Sequence, residues 1–281
     1  MYEYQFHSRQ EVVDKKVLLP EWLDKYIFED LHARYCRKYK DLVVLDWDRE
    51  NILNYLGTYF PRSYAESYCI FSTYLSKTHE EYKLLDSLSI FDFGCGTGGE
   101  IIGLLIAIKQ YLPHIKSIDL KAFDGNAYSL RILEKILQKF QSHINLEIAS
   151  HIDSITIDDF YDMSVVANVI TQHFDFIISF KAICEFVSKQ QFSNKNPYMY
   201  MLNTFISKLS EVGIVCISDV TTYNDVSNEW LPRMLDKASN SCNVKIVGTN
   251  VGFNESYYVS HSKKTNDLSK IAWRIYKSKP I

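Results

Sequence analysis

Hydrophobic positions divide the chain into two stretches with different periods. Up to about residue 85, apolar residues recur every three or four positions, which is the spacing of one face of an α-helix. Leu23, Ile27, Leu31 and Tyr35 follow this spacing and predict a helix over about 20–40, with Pro at its first position. The chain therefore opens with helical rather than strand-forming sequence.

Two further helices are predicted in the same stretch. One covers 49–59, and the other follows Pro61. The second has an apolar stripe at spacings of four, three and four, formed by Tyr64, Tyr68, Phe71 and Leu75. Residues 1–85 are thus predicted to form a helical N-terminal subdomain that serves as a lid or substrate platform.

From residue 86 onward, short apolar runs alternate with helical patterns, as in βαβ units with a parallel sheet. The predicted strands are 88–93, 120–123, 144–149, 174–180 and 212–219, and the predicted helices are 100–111, 127–140, 156–169, 198–209 and 228–239. The last two β-prone runs, 244–249 (extended by 256–260) and 270–277, are too close for a crossover helix and predict an antiparallel pair. The fold class is α/β: residues 86–281 form a Rossmann-like, seven-stranded, mostly parallel sheet with an antiparallel C-terminal strand.

Composition limits the classes of protein. The 281 residues are 47% hydrophobic and 23% charged, and no run approaches the length of a membrane span. Residues 1–10 lack the apolar centre of a signal peptide, so we expect a cytoplasmic protein. Six scattered cysteines predict neither a disulfide nor a metal site. A net charge of -3 argues against a protein that coats nucleic acid, and the basic runs 33–40 and 263–279 are read as solvated faces.

The most informative segment is 90–100, where an apolar strand runs into a glycine-rich turn and then into a helix. Gly94, Gly96 and Gly98 allow positive φ and let a ligand approach the backbone amides without meeting a Cβ atom. Gly99 also completes a GxGxxG pattern, which is typical of dinucleotide-binding proteins. Two classes of nucleotide ligand are therefore open at this point.

Asp92, two residues before the first glycine, favours one of them. The run Asp92-Phe-Gly94-Cys95-Gly96-Thr97-Gly98 resembles motif I of the class I S-adenosylmethionine-dependent methyltransferases. A carboxylate there would repel a diphosphate, but it can accept hydrogen bonds from the ammonium group of S-adenosylmethionine. The resemblance implies that the acid and the loop residues 94–98 bind this cofactor.

An acid at the end of the second strand is expected to bind the ribose hydroxyls. Asp124 fits, followed by Gly125 and Asn126 at the start of a helix, while Asp119 is the alternative at a more usual spacing. Taken alone, Asp92 or Asp124 is explained equally well by a helix-capping role and by cofactor binding. Two acids at consecutive strand ends favour the cofactor.

The resemblance also implies contacts from the next two strand ends. Ile152 and Asp153 are expected near the adenine, with Ser150 or His151 as alternatives, and Phe180 and Lys181 near the cofactor. No Asn/Asp-Pro-Pro-Tyr or Pro-Cys motif follows the fourth strand, and Cys184 is expected to pack on the next helix. Lys181 and Glu185 are weak catalytic candidates. Their spacing is better explained by an ordinary i, i+4 ion pair than by a catalytic role.

The segment Pro61-Arg62-Ser-Tyr64-Ala resembles, more weakly, the mitochondrial-type small-ribosomal-subunit methyltransferase-like family. This resemblance implies that Arg62 or Tyr64 contacts the carboxylate of the cofactor, although Tyr64 also belongs to the apolar stripe. The iron–sulfur cysteines of that family have no counterpart here. We therefore carry over the fold and the cofactor, not the ribosome.

Three hypotheses follow. The first is methyl transfer from S-adenosylmethionine to an RNA, nucleotide or small-molecule acceptor, for which many tyrosines offer stacking surfaces for an aromatic group. The second is a non-catalytic binding or assembly protein with the same fold. The third, an NAD-dependent oxidoreductase, is disfavoured by Asp92 and by the C-terminal strand pair. Oligomeric state is not predicted, and no membrane partner is expected.

Overall fold

The computed structural model describes residues 15–36, 48–240 and 242–279, and one large mixed sheet runs through them. Its strands are β1 (Lys16–Leu18), β2 (Ser87–Phe93), β3 (Ser117–Asp124), β4 (Glu147–Ser154), β5 (Phe174–Phe180), β6 (Leu209–Asp219), β9 (Val244–Thr249), β10 (Glu255–His261) and β11 (Lys264–Ser278). Two short strands form a separate ribbon, β7 (Tyr223–Asn224) and β8 (Glu229–Trp230).

The order of the strands is that of a Rossmann-like sheet. Along the sheet run β4, β3, β2, β5 and β6, all parallel, and β11 then pairs antiparallel with β6. The predicted fold class is therefore confirmed, including the antiparallel C-terminal strand. The chain leaves β2 to one side and later returns on the other at β5, so a crevice opens between the carboxyl ends of these two strands.

The strand count differs from the predicted seven because of the far edge. β9 and β10 lie end to end along one side of β11, where Thr249 pairs with Arg274 and Glu255 with Ile271. The predicted run 244–249 and its extension 256–260 are thus one interrupted strand, and it pairs antiparallel with the strand that contains 270–277, as predicted. β1 adds a further edge by pairing parallel to β10. The described part of the chain therefore contributes nine strands to the sheet.

Nine α-helices are found in the described residues: α1 (Glu21–Lys25), α2 (Arg49–Thr78), α3 (Gly99–Tyr111), α4 (Ala127–His143), α5 (Ser164–Val169), α6 (Ile183–Phe186), α7 (Lys189–Asn194), α8 (Pro197–Phe205) and α9 (Leu231–Ala238). The helix predicted over 20–40 is shorter: α1 continues as a π-helical turn, Tyr26–Asp30, and stops before His32, where φ is 60°. The predicted end beyond residue 36 lies outside the described residues. The helix predicted over 156–169 is reduced to α5.

The break predicted at Pro61 does not occur. α2 runs through this proline as one helix of 30 residues, although proline cannot donate the backbone hydrogen bond to the preceding turn. Phe60, directly before the proline, and Leu56 and Tyr64, about one turn to either side, are at most 1% exposed. Burial of these large side chains outweighs the local cost, so tertiary packing overrides the sequence signal.

A close helix crossing fixes α2 above the glycine turn. A Cβ atom at Gly99 would lie 2.5 Å from the Phe60 carbonyl oxygen, and one at Gly103 would lie 2.6 Å from that of Tyr64. The Ser67 hydroxyl donates to the Glu100 carbonyl oxygen at 2.6 Å. The two glycines let α2 and α3 pack backbone against backbone, which is why the third loop glycine is followed by another.

The described N-terminal residues share one hydrophobic core with the sheet, in which Leu23 and Ile27 are buried as predicted. A separate lid subdomain over residues 1–85 stays a prediction. None of the described helices combines the length and the apolar character needed to cross a membrane.

Candidate functional site

The glycine turn between β2 and α3 uses its glycines for conformation and for close packing. Gly94, Gly96 and Gly98 have φ values of 76°, 48° and 80°, which side chains with a Cβ rarely adopt. A Cβ atom at Gly94 would lie 2.5 Å from the Ala182 Cβ. The amides of Gly94 and Cys95 donate to the Phe123 carbonyl oxygen at 3.1 and 3.0 Å, which ties the turn to β3.

Asp124 joins the end of β3 directly to this turn. Its Oδ2 atom accepts a hydrogen bond from the Gly96 amide at 2.9 Å, and its Oδ1 atom accepts one from the Asn126 amide at 2.8 Å. Asn126, not Asp124, is the N-cap of α4, because its side chain accepts from the Tyr128 and Ser129 amides. The ends of β2 and β3 therefore lie together, as predicted, and Asn126 caps the helix in place of Asp124.

Asp92 lies beneath the turn as a buried carboxyl group without a counter-ion. It is 0% exposed, no backbone amide, hydroxyl or cation of the described residues donates to its oxygens, and the side chain in hydrogen-bond contact with it is another acid, Glu100. Burial, then the neighbouring Glu100 and Asp124, raise its pKa well above the usual range. A buried acid without a counter-ion is costly, so its retention points to a ligand-binding role.

Glu100, in the first turn of α3, is a second buried acid that sequence reasoning missed. Burial raises its pKa to about 8; its backbone hydrogen bond and Lys181 act to lower it, while Glu66 and Asp124 act to raise it. The available signal was an acidic residue directly after the Gly-Gly pair, which places a carboxyl group at the helix start next to the turn.

Asp219, the last residue of β6, was also missed, although it repeats the pattern of an acid at a strand end. It is fully buried and accepts hydrogen bonds from the Tyr198 hydroxyl and from the Val220 amide, both at 2.8 Å. Burial raises its pKa. Acids at the ends of β3 and β6 thus face the same crevice as Asp92.

Lys181 is placed differently from the predicted ion pair with Glu185. Its ammonium group lies 3.0 and 2.9 Å from the two carboxylate oxygens of Glu66 on α2, so the i, i+4 pairing was wrong. The reason is that Lys181 has a φ of 57° and precedes α6, so the helical spacing does not apply. Phe180, at the end of β5, is buried at 4% exposure beside it. The result is a buried link between the β5 end and α2.

Glu185 lies on α6 at the wall of a cavity of about 580 Å³ next to the crevice. Its side chain reaches the cavity, yet the protein crowds its carboxyl group. Although the residue as a whole is exposed, desolvation of its carboxyl group by these surroundings, then Asp124 and Asp219, raise its pKa to about 8. Cys184 lies on the same helix, as predicted, and burial raises the pKa of its thiol well above the usual range, so it is a thiol rather than a thiolate.

Tyr55 covers the turn from α2. Its hydroxyl oxygen lies 3.0 Å from the position that a Cβ atom at Gly96 would take, and its ring stacks on Tyr59 with centroids 5.1 Å apart. Burial, then Glu185, Glu100 and Asp124, raise its pKa well above the usual range. Because this contact is made by the far end of a side chain, rotation of the ring opens the space above the turn.

β4 extends further than predicted, so the residues predicted near the adenine lie within the strand, and their contact with a cofactor stays a prediction. Ile152 and Asp153 pair with Ala122 and Phe123 within the sheet, before the strand ends at Ser154. Ser150 and His151 lie still further back and are exposed. The strand end that faces Asp124 is at residues 154–155, where the Ile155 amide donates to the Asp124 carbonyl oxygen at 3.1 Å.

Arg62 and Tyr64 are engaged elsewhere. Arg62 forms a two-pronged ion pair with Asp267 of β11, with N–O distances of 2.8 and 2.9 Å. Tyr64 is fully buried and stacks on Tyr68 in the contact of α2 with α3. These contacts count against the predicted role of either residue in holding a cofactor carboxylate.

Asp119 lies near the opposite end of β3 from Asp124. It is the third residue of β3, near its amino end, and its Oδ2 atom accepts a hydrogen bond from the Gln172 side chain at 2.8 Å. The carboxyl-end crevice therefore contains Asp124 and not the alternative. Asp119 thereby becomes a matched control for substitutions in the crevice.

No protein-family model matches the chain, and no curated protein matches it in sequence. Among solved structures, similar ones include the magnesium protoporphyrin IX methyltransferase of Synechocystis PCC 6803 with bound S-adenosylmethionine, at 10% identity over 98% of this chain and 100% of that chain, with a TM-score of 0.48. An S-adenosylhomocysteine-bound methyltransferase of Podospora anserina has 10% identity over 99% and 100% of the chains and a TM-score of 0.44. A putative RNA methyltransferase of Pyrococcus horikoshii has 12% identity over 91% and 96% and a TM-score of 0.43. At these values, the similarities assign no function to this chain.

Proposed function

We propose that this chain binds S-adenosylmethionine in the crevice at the carboxyl ends of β2 and β3 and transfers its methyl group to an acceptor. When bound, this cofactor supplies an electrophilic methyl group on a sulfonium centre. The proposal depends above all on Asp92, a fully buried carboxyl group whose only close polar side chain in the described residues is another acid, Glu100, just before a turn of three glycines.

The charges of the crevice favour a cationic ligand over a dinucleotide. Glu100 and Asp124 raise the pKa of Asp92, and Asp124 raises that of Glu100, so these surroundings disfavour further negative charge and a diphosphate there would be repelled. The ammonium and sulfonium groups of S-adenosylmethionine would lower the pKa of these carboxyl groups and relieve their burial cost. An NAD-dependent oxidoreductase is the poorer fit for this reason.

The residues present fit the parts of the cofactor. Asp92 is suited to accept hydrogen bonds from the ammonium group, directly or through water, and the turn residues 94–98 leave the backbone bare beside it. The Asp124 carboxylate accepts backbone hydrogen bonds from Gly96, Gly125 and Asn126, which leaves acceptor capacity on its two oxygens for a ribose hydroxyl. Tyr55 must rotate from above Gly96, where its ring can then cover the bound cofactor and exclude water.

Calorimetric titration tests the binding step. We expect S-adenosylmethionine and S-adenosylhomocysteine to bind and NAD not to bind. Asp92→Asn and Asp124→Ala should each weaken binding about 10- to 100-fold, because each removes a hydrogen bond to a charged acceptor. Asp119→Asn, the same change at the far edge of β3, should leave the affinity unchanged. Binding of NAD, or equal affinity in all variants, would refute the proposal.

The transfer step needs its own experiment, since a non-catalytic binding protein with this fold would give the same titrations. Tritium transfer from labelled cofactor into cell extract, separated into RNA, DNA, protein and small molecules, should label one fraction. We propose a cytoplasmic enzyme with an RNA, nucleotide or aromatic small-molecule acceptor. The finer resemblance to ribosomal-subunit methyltransferases gains no support from Arg62 and Tyr64, which are engaged elsewhere.

A further inference from the structure

The cavity beside Glu185 has largely apolar and aromatic walls. Its volume of about 580 Å³ falls in the range of sites for small organic molecules. The apolar part of its lining comes from α2, α7, the segment after β6 and the start of α9, and comprises Tyr55, Tyr59, Val187, Phe192, Val220 and Leu231. Such walls favour a flat apolar ligand, because an aromatic ring stacks on tyrosine and gains from burial.

An exposed aromatic rim extends this cavity outward. Tyr223, which lines it, packs edge-on against Trp230 with centroids 5.0 Å apart, and Trp230 packs against Phe253 at 5.2 Å. The three side chains are 38%, 38% and 42% exposed. The buried Asn224 side chain donates to the Lys189 carbonyl oxygen at 3.1 Å and anchors the ribbon of β7 and β8 to the wall. The ribbon that carries Tyr223 and Trp230 is thus held against the cavity wall.

The charges of the cavity disfavour an anionic ligand. Both lysines of the lining are already paired: Lys181 with Glu66 and Lys189 with Asp225, each at 2.9 Å. Glu185 has no salt bridge to any lysine, arginine or histidine in the described ranges. The ionisable groups around its carboxyl group are Tyr55, Glu100, Asp124, Lys181, Cys184 and Asp219. Carboxyl groups outnumber the single ammonium group there, so the local potential becomes negative as they ionise, which for Glu100 and Glu185 occurs at about pH 8.

We propose that this cavity takes a flat, apolar small molecule that is neutral or cationic, carries an O–H or N–H group and lacks phosphate, with that group hydrogen-bonded to Glu185. The inference deepens the proposed function by naming the class of methyl acceptor, and only the transfer itself rests on that function. Of the acceptor classes that the sequence leaves open, this inference favours an aromatic small molecule over a nucleotide or an RNA strand.

The pH dependence of binding follows from Glu185. Its pKa is raised to about 8, so the carboxyl group is mainly neutral near pH 6.5 and mainly ionised near pH 9. A cationic ligand should therefore bind more tightly as the pH rises through about 8, whereas a phosphorylated ligand should bind more weakly. The two trends have opposite signs, which makes the charge preference measurable in one protein.

Three naphthalene probes with one ring system and different charges test the proposal by calorimetry on the full chain without cofactor: 2-naphthylmethanol, 2-naphthylmethylamine and 2-naphthyl phosphate. At about pH 8.5, we expect the alcohol and the amine to bind at least about tenfold more tightly than the phosphate. Glu185→Gln should reduce this preference to within about threefold. Glu134→Gln, on the exposed face of α4, is the matched control and should preserve it.

Other outcomes separate this inference from the proposed function. Phosphate binding as tight as that of the amine, or binding of none of the three probes, overturns the inference even if S-adenosylmethionine binds normally. If the probes bind in the expected order but S-adenosylmethionine does not bind, the proposed function fails and the ligand class of the cavity stands. A preference that Glu185→Gln leaves intact also overturns the inference.

Discussion

Asp92 and Asp267 are buried aspartates of the same sheet, 0% and 3% exposed, in opposite electrostatic surroundings. Asp267 accepts two hydrogen bonds from Arg62 and one from the Tyr35 hydroxyl at 3.1 Å. Burial acts to raise its pKa, but the neighbouring His261 ring and the hydrogen bonds from Arg62 outweigh this and lower it to about 2. Asp92 has only burial and two further acids around it, and its pKa is raised instead.

The difference shows how a structural acid can be told from a functional one at equal burial. Asp267 is compensated by groups of the chain itself, so it holds α2 against β11 and needs nothing from outside. The acids below the glycine turn lower the stability of the chain as it stands. A ligand that carries positive charge would supply the missing compensation, which is the physical basis of the proposed cofactor site.

The largest expected effect is on the compensated side. Arg62→Leu leaves Asp267 buried without its main counter-ion, and we expect a loss of about 3 kcal/mol in the free energy of unfolding, measured by urea denaturation. Arg233→Leu, on the exposed face of α9, is the matched control with little expected change. If the two variants unfold at the same urea concentration, the ion pair contributes nothing and the comparison fails.

For the acids below the glycine turn, we expect the opposite effect: removing the ionisable group should stabilise the chain. Glu100 has a pKa of about 8 in the folded chain and an ordinary value near 4.5 when unfolded, so the unfolded chain loses the proton first. The free energy of unfolding should therefore fall as the pH rises from about 4.5 to about 8. Glu100→Gln removes the charge and keeps a hydrogen-bond donor, and we expect it to stabilise the chain by about 2 kcal/mol near pH 8.

Urea denaturation of both proteins between about pH 5 and pH 9 measures this effect. The wild-type curve should slope downward and the Glu100→Gln curve should be flatter; equal slopes would show that Glu100 is not a strained acid. Asp267 provides the contrast, because a lowered pKa contributes stability above about pH 4 that is lost only as the pH falls toward about 2. The two regions are thus separated by pH windows that do not overlap.

Local signals in the sequence predicted the strands and the turn. The limits of β5 and β9 match the predicted 174–180 and 244–249, since short β-prone runs between turn residues have few alternative pairings. The positions of Asp92 and Asp124 at the ends of β2 and β3 were predicted because each belongs to its own strand, while their role in binding stays a prediction. The common feature of these successes is that the deciding residues lie within one element.

Contacts between distant segments could not be predicted in this way. Arg62 and Asp267 are 205 residues apart, and Lys181 and Glu66 are 115 apart, so no spacing rule connects them. Tyr55 was read only as part of a helix, because its place above Gly96 depends on how α2 crosses α3. The ion pairs of Asp267 and Glu66, and the position of Tyr55 above the turn, depend on tertiary packing.

The smallest expected effect concerns the hydrogen bond from Tyr35 to Asp267. Tyr35→Phe removes one hydroxyl donor from Asp267 but leaves both contacts of Arg62 in place, so the loss in the free energy of unfolding should be about 1 kcal/mol. Tyr26→Phe is a suitable control, since that hydroxyl makes only an exposed hydrogen bond of 3.4 Å to the Lys135 carbonyl oxygen. Urea denaturation near pH 7 compares the two variants. A loss as large as that of Arg62→Leu would mean that the hydroxyl, and not the guanidinium, provides the main compensation of Asp267, and the contrast with Asp92 would then be one of hydrogen bonding rather than of charge.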